Sequence, residues 1–170
     1  AENFILPIPH DEVVPGKKSL LDKIPGSYEN KFAGLRALLS YMYTHPGKKL
    51  LFMGSEYGPF REWDCKTGLE WFMLDFELHR KLKDFTRALN LFYLAHPALW
   101  ENDGSPEGFE WIVSDDNRNN VLVYLRRCKE EELVIAVNFS PQRWENYRFG
   151  LPKYGKYEEI FNSDDLLFGG

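Results

Sequence analysis

Three ionisable residues, His10, Asp11 and Glu12, stand side by side near the start of the chain. They follow an apolar run at residues 4–9 and precede two valines, which predicts a buried strand with a polar cluster at its carboxyl end. In α/β folds the loops at that end of the strands line the ligand crevice. An ionised carboxylate placed there can hold sugar hydroxyls or stabilise an oxocarbenium-like transition state. We therefore interpret Asp11 as a candidate catalytic residue and His10 as a neighbouring hydrogen-bond donor. The alternative interpretation of the cluster is a solvated strand end without a functional role.

The same triplet argues against a metal site. Adjacent side chains on a strand point in alternating directions, so all three could not ligate one ion. The basic pair Lys17-Lys18 has no glycine-rich cradle leading into a helix, as a phosphate site would need. We predict no metal and no cofactor.

A second group of polar and aromatic residues follows the next apolar run. Glu56 comes shortly after Leu50–Met53, at the matching end of a second predicted strand, where a solvated loop carboxylate and a site residue are both open interpretations. Trp63 and Trp71 flank an acidic loop that contains glycine. Each is either a stacking platform for a sugar ring or a hydrophobic plug.

Composition narrows the class of protein. The net charge of −5, with scattered Lys and Arg, gives no basic face for a nucleic acid. The apolar runs are far shorter than the ~20 residues that span a bilayer. Cys65 and Cys128 fit neither a metal-ligand spacing nor a disulfide framework and predict two free thiols in a cytoplasmic protein. The aromatic content of 16% suits a core or a sugar-binding groove equally well.

The first part of the chain predicts alternating strands and helices. Ser27 can cap a helix that carries apolar residues at steps of three and four and stops at His45-Pro46-Gly47. A second apolar stripe runs from Leu78 to Phe92 and ends before His96-Pro97. The connection between the first apolar run and the helix that begins after Ser27 has room for at most one helical turn, near residues 20–23. This order is typical of a parallel α/β sheet.

The pattern changes near residues 102–106. Five short β-type runs separated by turn residues predict an antiparallel β-sandwich, at residues 109–113, 121–125, 133–139, 147–151 and 157–161. We divide the chain into an α/β part at residues 1–101 and a β-sandwich at residues 102–170. Two β/α units leave strand edges unpaired, which predicts that the chain self-associates.

Several strings in the sequence resemble one enzyme family, the 1,4-α-glucan (glycogen) branching enzymes of the α-amylase superfamily. They are His10-Asp11-Glu12-Val13-Val14 with Gly16-Lys17-Lys18-Ser19-Leu20, His45 to Gly54, Glu56, Arg61-Glu62-Trp63, and Pro106 to Ile112. The resemblance implies the last two β/α units of a (β/α)₈ barrel, a TIM barrel, followed by a C-terminal antiparallel β-sandwich that stops short. Pro9 and Pro15 depart from the family pattern at the flanks of the first string.

The resemblance also implies a mechanism. In the family, a retaining glycosyltransferase cleaves an α-1,4 bond and passes the chain to a 6-hydroxyl of an α-glucan, which creates an α-1,6 branch for glycogen biosynthesis. Asp11 would stabilise the transition state and His10 would bind sugar hydroxyls, with Glu12, Glu56 and Trp63 as further substrate-binding residues. No string here matches the family's nucleophile or acid/base, so we expect this polypeptide alone to be inactive.

Two other functions fit the same residues. One is a different enzyme of the α-amylase superfamily, such as an amylase or another hydrolase. The other is a non-catalytic glucan-binding piece, for which the aromatic residues and the sandwich suffice and Asp11 is incidental.

Overall fold

Helices come first in the chain and strands follow them. The computed structural model describes residues 7–170. The helices are α1 (Leu20–Lys23), α2 (Tyr28–Thr44) and α3 (Glu77–Ala95), and the strands are β1 (Phe109–Asp116), β2 (Val121–Arg127) and β3 (Glu132–Asn138). Short 3₁₀ turns lie at His10–Glu12, Ser55–Tyr57, Trp71–Asp75, Pro97–Leu99, Pro106–Gly108 and Leu166–Phe168. Over residues 7–170, no helix is long and apolar enough to cross a membrane.

Both predicted long helices are confirmed. The Ser27 hydroxyl oxygen accepts a hydrogen bond from the Asn30 amide at 3.3 Å and caps α2, which ends before His45. α3 ends before His96, where Pro97 begins the next turn. The apolar faces of the two helices form one core, with Phe32, Leu35, Leu39 and Met42 from α2 and Leu82, Phe85 and Leu89 from α3. Burying each such side chain contributes about 1.5–3 kcal/mol before the entropy cost of ordering it.

The two predicted parallel strands meet at a single point. Ile8 and Leu51 form one parallel bridge, in which the Ile8 amide donates to the Leu50 carbonyl at 3.0 Å and the Phe52 amide donates to the Ile8 carbonyl at 3.2 Å. The start of the first predicted strand, residues 4–6, lies outside the described residues. The segment Leu50–Met53 was expected to be a continuous buried strand, but Leu50 and Met53 are exposed. Strands of a parallel sheet are stable when other elements cover both faces of the sheet. Among residues 7–170 the two segments share only one bridge, so neither forms a regular strand.

The strands form one antiparallel sheet with β2 in the middle. Tyr124 of β2 lies opposite Trp111 of β1 and Ile135 of β3. β2 is the most buried strand because it has a neighbour on each side: residues 123–126 are fully buried. The antiparallel arrangement predicted for the first three β-type runs is confirmed.

The last two predicted strands, at residues 147–151 and 157–161, are wrong. These residues are irregular, and all of residues 150–160 are exposed. A β-run needs a partner strand for its backbone, and among residues 7–170 this segment has none. Side chains hold its beginning instead: the Tyr147 hydroxyl donates to Asp116 at 2.7 Å and the Trp144 indole N–H donates to the Asn119 carbonyl at 3.0 Å.

A fully buried arginine joins the helical part to the sheet. The Arg126 guanidinium of β2 donates to the backbone carbonyls of Thr44 at 2.7 Å, Leu99 at 3.0 Å and Gly108 at 3.2 Å. It also donates to the Asp103 carboxylate at 2.5 Å. These acceptors lie at the end of α2, after α3, and before β1, so one side chain connects the three segments. The domain division near residue 102 stays a prediction, and this contact crosses it.

The end of the chain returns to the helices. Arg36 of α2, which is almost fully buried, donates to the Ser163 carbonyl at 2.6 Å and to the Asp164 carboxylate at 2.9 Å. Phe168 packs against Phe85 of α3, with ring centroids 5.4 Å apart. Residues 161–168 therefore complete the core between α2 and α3. The two cysteines, Cys65 and Cys128, are free thiols, as predicted.

We predict that Arg126→Met strongly destabilises the chain. The substitution preserves much of the side-chain volume but leaves the buried Asp103 carboxylate and three carbonyls without a donor. Breaking a buried ion pair from one side costs ~3–5 kcal/mol. Urea denaturation should show that loss, whereas the control Arg118→Met, in the exposed hairpin turn between β1 and β2, should change the free energy of unfolding by less than about 0.5 kcal/mol. Equal effects of the two substitutions would contradict this role for Arg126.

A buried histidine lies beside the same junction. His45 is 7% exposed, its Nδ1 has no hydrogen-bond partner among the described residues, and its ring packs against Tyr41 and Phe109. Burial, assisted by the nearby cations Lys49 and Arg126, lowers the pKa of His45 from 6.5 to about 4, and the Pro46 backbone and the Asp103 carboxylate only partly oppose this shift. The folded state therefore keeps His45 neutral at pH values where the unfolded chain binds a proton.

We predict that His45 makes stability fall as the pH drops from 6.5 to 4. Above pH 6.5 the imidazole is neutral in both states; between 6.5 and 4 only the unfolded chain takes up the proton, and that difference amounts to about 3 kcal/mol. His45→Phe removes the titrating group and keeps an aromatic ring. Urea denaturation of both proteins at several pH values should show a flatter profile for His45→Phe, because contributions from all other groups cancel in the comparison. Parallel profiles would refute the assignment.

Candidate active site

The His10–Glu12 cluster forms a 3₁₀ turn rather than an extended strand end. It follows directly on Ile8, the residue in the parallel bridge, so the turn lies at the carboxyl end of that strand contact, as predicted. The turn brings His10 Nε2 to 3.0 Å from Asp11 Oδ1. The two side chains are 50% and 68% exposed. The expected alternation of side-chain directions is wrong here, because successive residues of a helical turn are not placed on opposite faces.

An aromatic wall supports His10. Its ring centroid lies 5.6 Å from Trp63 and 6.0 Å from Phe52, and the Phe52 and Trp63 rings meet edge to face at 5.4 Å. The Trp63 amide donates to the Val13 carbonyl at 2.8 Å. Trp63 therefore contacts His10 with its ring and is hydrogen-bonded through its backbone to the residue after Glu12. It is partly buried and also lines a narrow cleft with Tyr57 and other residues of the 52–70 loop.

The other predicted site residues are less closely associated. The Glu12 carboxylate lies 3.3 Å from Lys23 Nζ, which also donates to the Glu12 carbonyl. Glu56 lies in the Ser55–Tyr57 turn, where its carbonyl accepts a hydrogen bond from the Thr86 hydroxyl at 3.3 Å. Over residues 7–170, no recorded contact joins the Glu56 carboxylate to His10 or Asp11. The structure thus brings Trp63 to the pair and leaves Glu12 and Glu56 at its margin.

The second tryptophan has a different environment. Trp71 is 51% exposed and packs on Tyr57 at 5.3 Å, with Lys83 Nζ 6.0 Å from its ring centroid. Half of its surface remains open, so it is not a hydrophobic plug.

One residue close to the site was missed by sequence reasoning. Glu62 Oε1 accepts hydrogen bonds from the backbone amides of Gly16 at 2.9 Å and Lys18 at 2.6 Å. Gly16 and Lys18 have φ angles of +90° and +67°. Glycine adopts such angles readily, but for Lys18 the conformation costs of order 1–3 kcal/mol and requires support. The sequence signals were that Glu62 stands beside Trp63 and within one of the strings that resemble the family. Neither signal identifies a backbone partner 44 residues away.

Comparison with known proteins shows which sequences the chain resembles. Residues 111–170 match the model of the α-amylase C-terminal all-beta domain. The whole chain is 51% identical over 172 aligned residues to a 1,4-alpha-glucan branching enzyme from Halothermothrix orenii, and 49% and 51% identical to those of Bacillus mycoides and Desulfitobacterium hafniense. The chain spans about 27% of the length of these relatives. The resemblance carried by the sequence strings is confirmed.

Proposed function

We propose a function from the similarity of the whole chain to one segment of the 1,4-alpha-glucan branching enzymes. This polypeptide forms part of a retaining glycosyltransferase that cleaves α-1,4-glucan and transfers the released chain to a 6-hydroxyl, forming an α-1,6 branch. The observation that carries this proposal is the identity of about half of all positions over the full chain. In the complete protein, α2, α3 and the Ile8–Leu51 bridge would belong to the last two units of a (β/α)₈ barrel.

Asp11 and His10 supply the chemistry of this segment. The Asp11 carboxylate would stabilise the positive charge that develops on the sugar ring in an oxocarbenium-like transition state. His10, whose Nε2 is 3.0 Å from Asp11, would donate a hydrogen bond to a hydroxyl of the same sugar. The nucleophile and the acid/base, which retaining enzymes hold ~5–5.5 Å apart, would come from the rest of the protein.

Three further residues would bind the glucan chain. Trp63 contacts His10 and offers an aromatic face for an adjoining sugar ring. Glu12 approaches Lys23 through Oε2, which leaves Oε1 for a sugar hydroxyl. Glu56 would bind the chain from the Ser55–Tyr57 turn. Each role follows from the resemblance and from the position of the residue around the turn.

We predict that Asp11→Asn lowers the rate of branch formation by about 10²–10³-fold, because it removes a charge that acts chiefly in the transition state. The enzyme for this test is a chimera in which residues 1–170 replace the matching segment of the Halothermothrix orenii protein. The assay counts α-1,6 linkages formed on amylose. The matched control is Asp115→Asn, an exposed aspartate of β1, which should leave the rate unchanged. The 170-residue chain alone should form no branches.

The same assay separates the alternative functions. A hydrolase of the α-amylase superfamily would release reducing ends without forming α-1,6 linkages. A non-catalytic glucan-binding piece would bind maltooligosaccharide in a way that Trp63→Ala weakens and Asp11→Asn leaves unchanged, and the chimera would be inactive. Full branching activity in Asp11→Asn would show that Asp11 is wrongly assigned.

We further propose that the 170-residue chain self-associates. The outer edge of β3 has no partner strand among the described residues, and the parallel contact at Ile8 and Leu51 is only one bridge wide. Open strand edges bind other strand edges. Light scattering over a concentration series should therefore give a mass of at least two chains. A mass of one chain at every concentration would contradict the proposal.

A further inference from the structure

We propose that Glu62 is a positioning residue for Asp11, holding the loop that follows the His10–Glu12 turn in the conformation the reaction needs. This inference rests on the proposed role of Asp11. Glu62 is partly buried and lies on the 52–70 loop, next to Trp63. It acts through the backbone of residues 16–18 and does not contact the substrate.

The loop between Asp11 and Lys18 is a chain of tight turns. The Val13 amide donates to the His10 carbonyl at 2.9 Å, and the Lys17 amide donates to the Val14 carbonyl at 3.0 Å. Each turn fixes the direction of the next residue, so the end of the loop and the position of Asp11 are coupled. A shift at Gly16 or Lys18 would therefore move the turn that carries His10 and Asp11.

Glu62 fixes the end of that loop. A single carboxylate oxygen, Oε1, accepts from both the Gly16 and Lys18 amides, at 2.9 and 2.6 Å. Both residues have positive φ angles, which turn their amides toward a common acceptor. Hydrogen bonds from backbone amides to a carboxylate are stronger than neutral ones. The carboxylate thus stabilises a conformation that Lys18 would not adopt on its own.

The next residue fixes the start of the same loop. The Trp63 amide donates to the Val13 carbonyl at 2.8 Å, and the Trp63 ring packs on His10. Glu62 and Trp63 together hold both ends of residues 13–18 from one short segment. Arg61 and Asp64, which flank Glu62 and Trp63, form an ion pair at 3.5 Å that links the two ends of residues 61–64.

The chemistry of these contacts assigns Glu62 an acceptor role. Backbone amides do not exchange protons with a carboxylate during turnover, and no recorded contact joins Glu62 to His10 or Asp11 among the described residues. The contribution of Glu62 should therefore survive replacement by a neutral acceptor of the same shape. A residue that transfers protons would lose its function in that replacement.

The test uses the chimera described above, with Glu62→Ala, Glu62→Gln and the distant control Glu77→Gln of α3. We expect Glu62→Ala to lower kcat about 10- to 100-fold with KM within about twofold, because a displaced Asp11 weakens transition-state binding more than substrate binding. Glu62→Gln keeps an acceptor oxygen and should retain kcat within about fivefold. Glu77→Gln should match the unsubstituted chimera.

Amide hydrogen exchange in the same proteins provides a readout that is independent of activity. Glu62→Ala should speed exchange at Gly16 and Lys18 and leave exchange in the centre of α3 unchanged. Unchanged kcat or unchanged exchange in Glu62→Ala would overturn the inference, as would a Glu62→Gln protein as slow as Glu62→Ala. If the unsubstituted chimera forms no branches, the proposed function fails, and the exchange measurement still decides whether Glu62 holds the Asp11 loop.

Discussion

The buried guanidinium of Arg126 is the contact on which the arrangement of this chain depends. A charge taken out of water is costly unless every donor finds an acceptor. Arg126 finds them at the end of α2, after α3, before β1 and on Asp103. Because all these acceptors must be present together, the helices and the sheet can be joined in only one relative position. Apolar packing alone would allow several relative positions.

A second buried arginine, Arg36 in the middle of α2, is satisfied in the same way. Arg36 is satisfied by the Ser163 carbonyl and the Asp164 carboxylate, which bring the end of the chain back to the helices. Phe168 then enters the core beside Phe85. The two arginines hold α2 at its middle and at its carboxyl end, and α2 in turn packs on α1, which follows the loop after Asp11. The position of the site residues is therefore connected to contacts far from them.

The site itself is built from two loops that meet across the parallel bridge. Residues 10–18 carry His10 and Asp11, and residues 61–64 hold them in place through Glu62 and Trp63. The His10–Asp11 pair is open to solvent, whereas its supports are partly buried. This division suits the proposed function, because the exposed groups are free to meet substrate while the residues that hold them are partly buried.

The sequence by itself determined the two long helices, the three antiparallel strands and the His10–Asp11 candidate pair, because periodicity, caps and turn residues act between near neighbours. The sequence wrongly predicted two strands within residues 147–161, because a β-type composition does not show whether the fold supplies a partner strand. Only the tertiary structure decided what Arg126 and Glu62 bind, since the Arg126 acceptors include one 82 residues away and Glu62 reaches an amide 46 residues away. Local pattern marks a polar residue, but its partner is whichever distant backbone group the fold brings within hydrogen-bond distance.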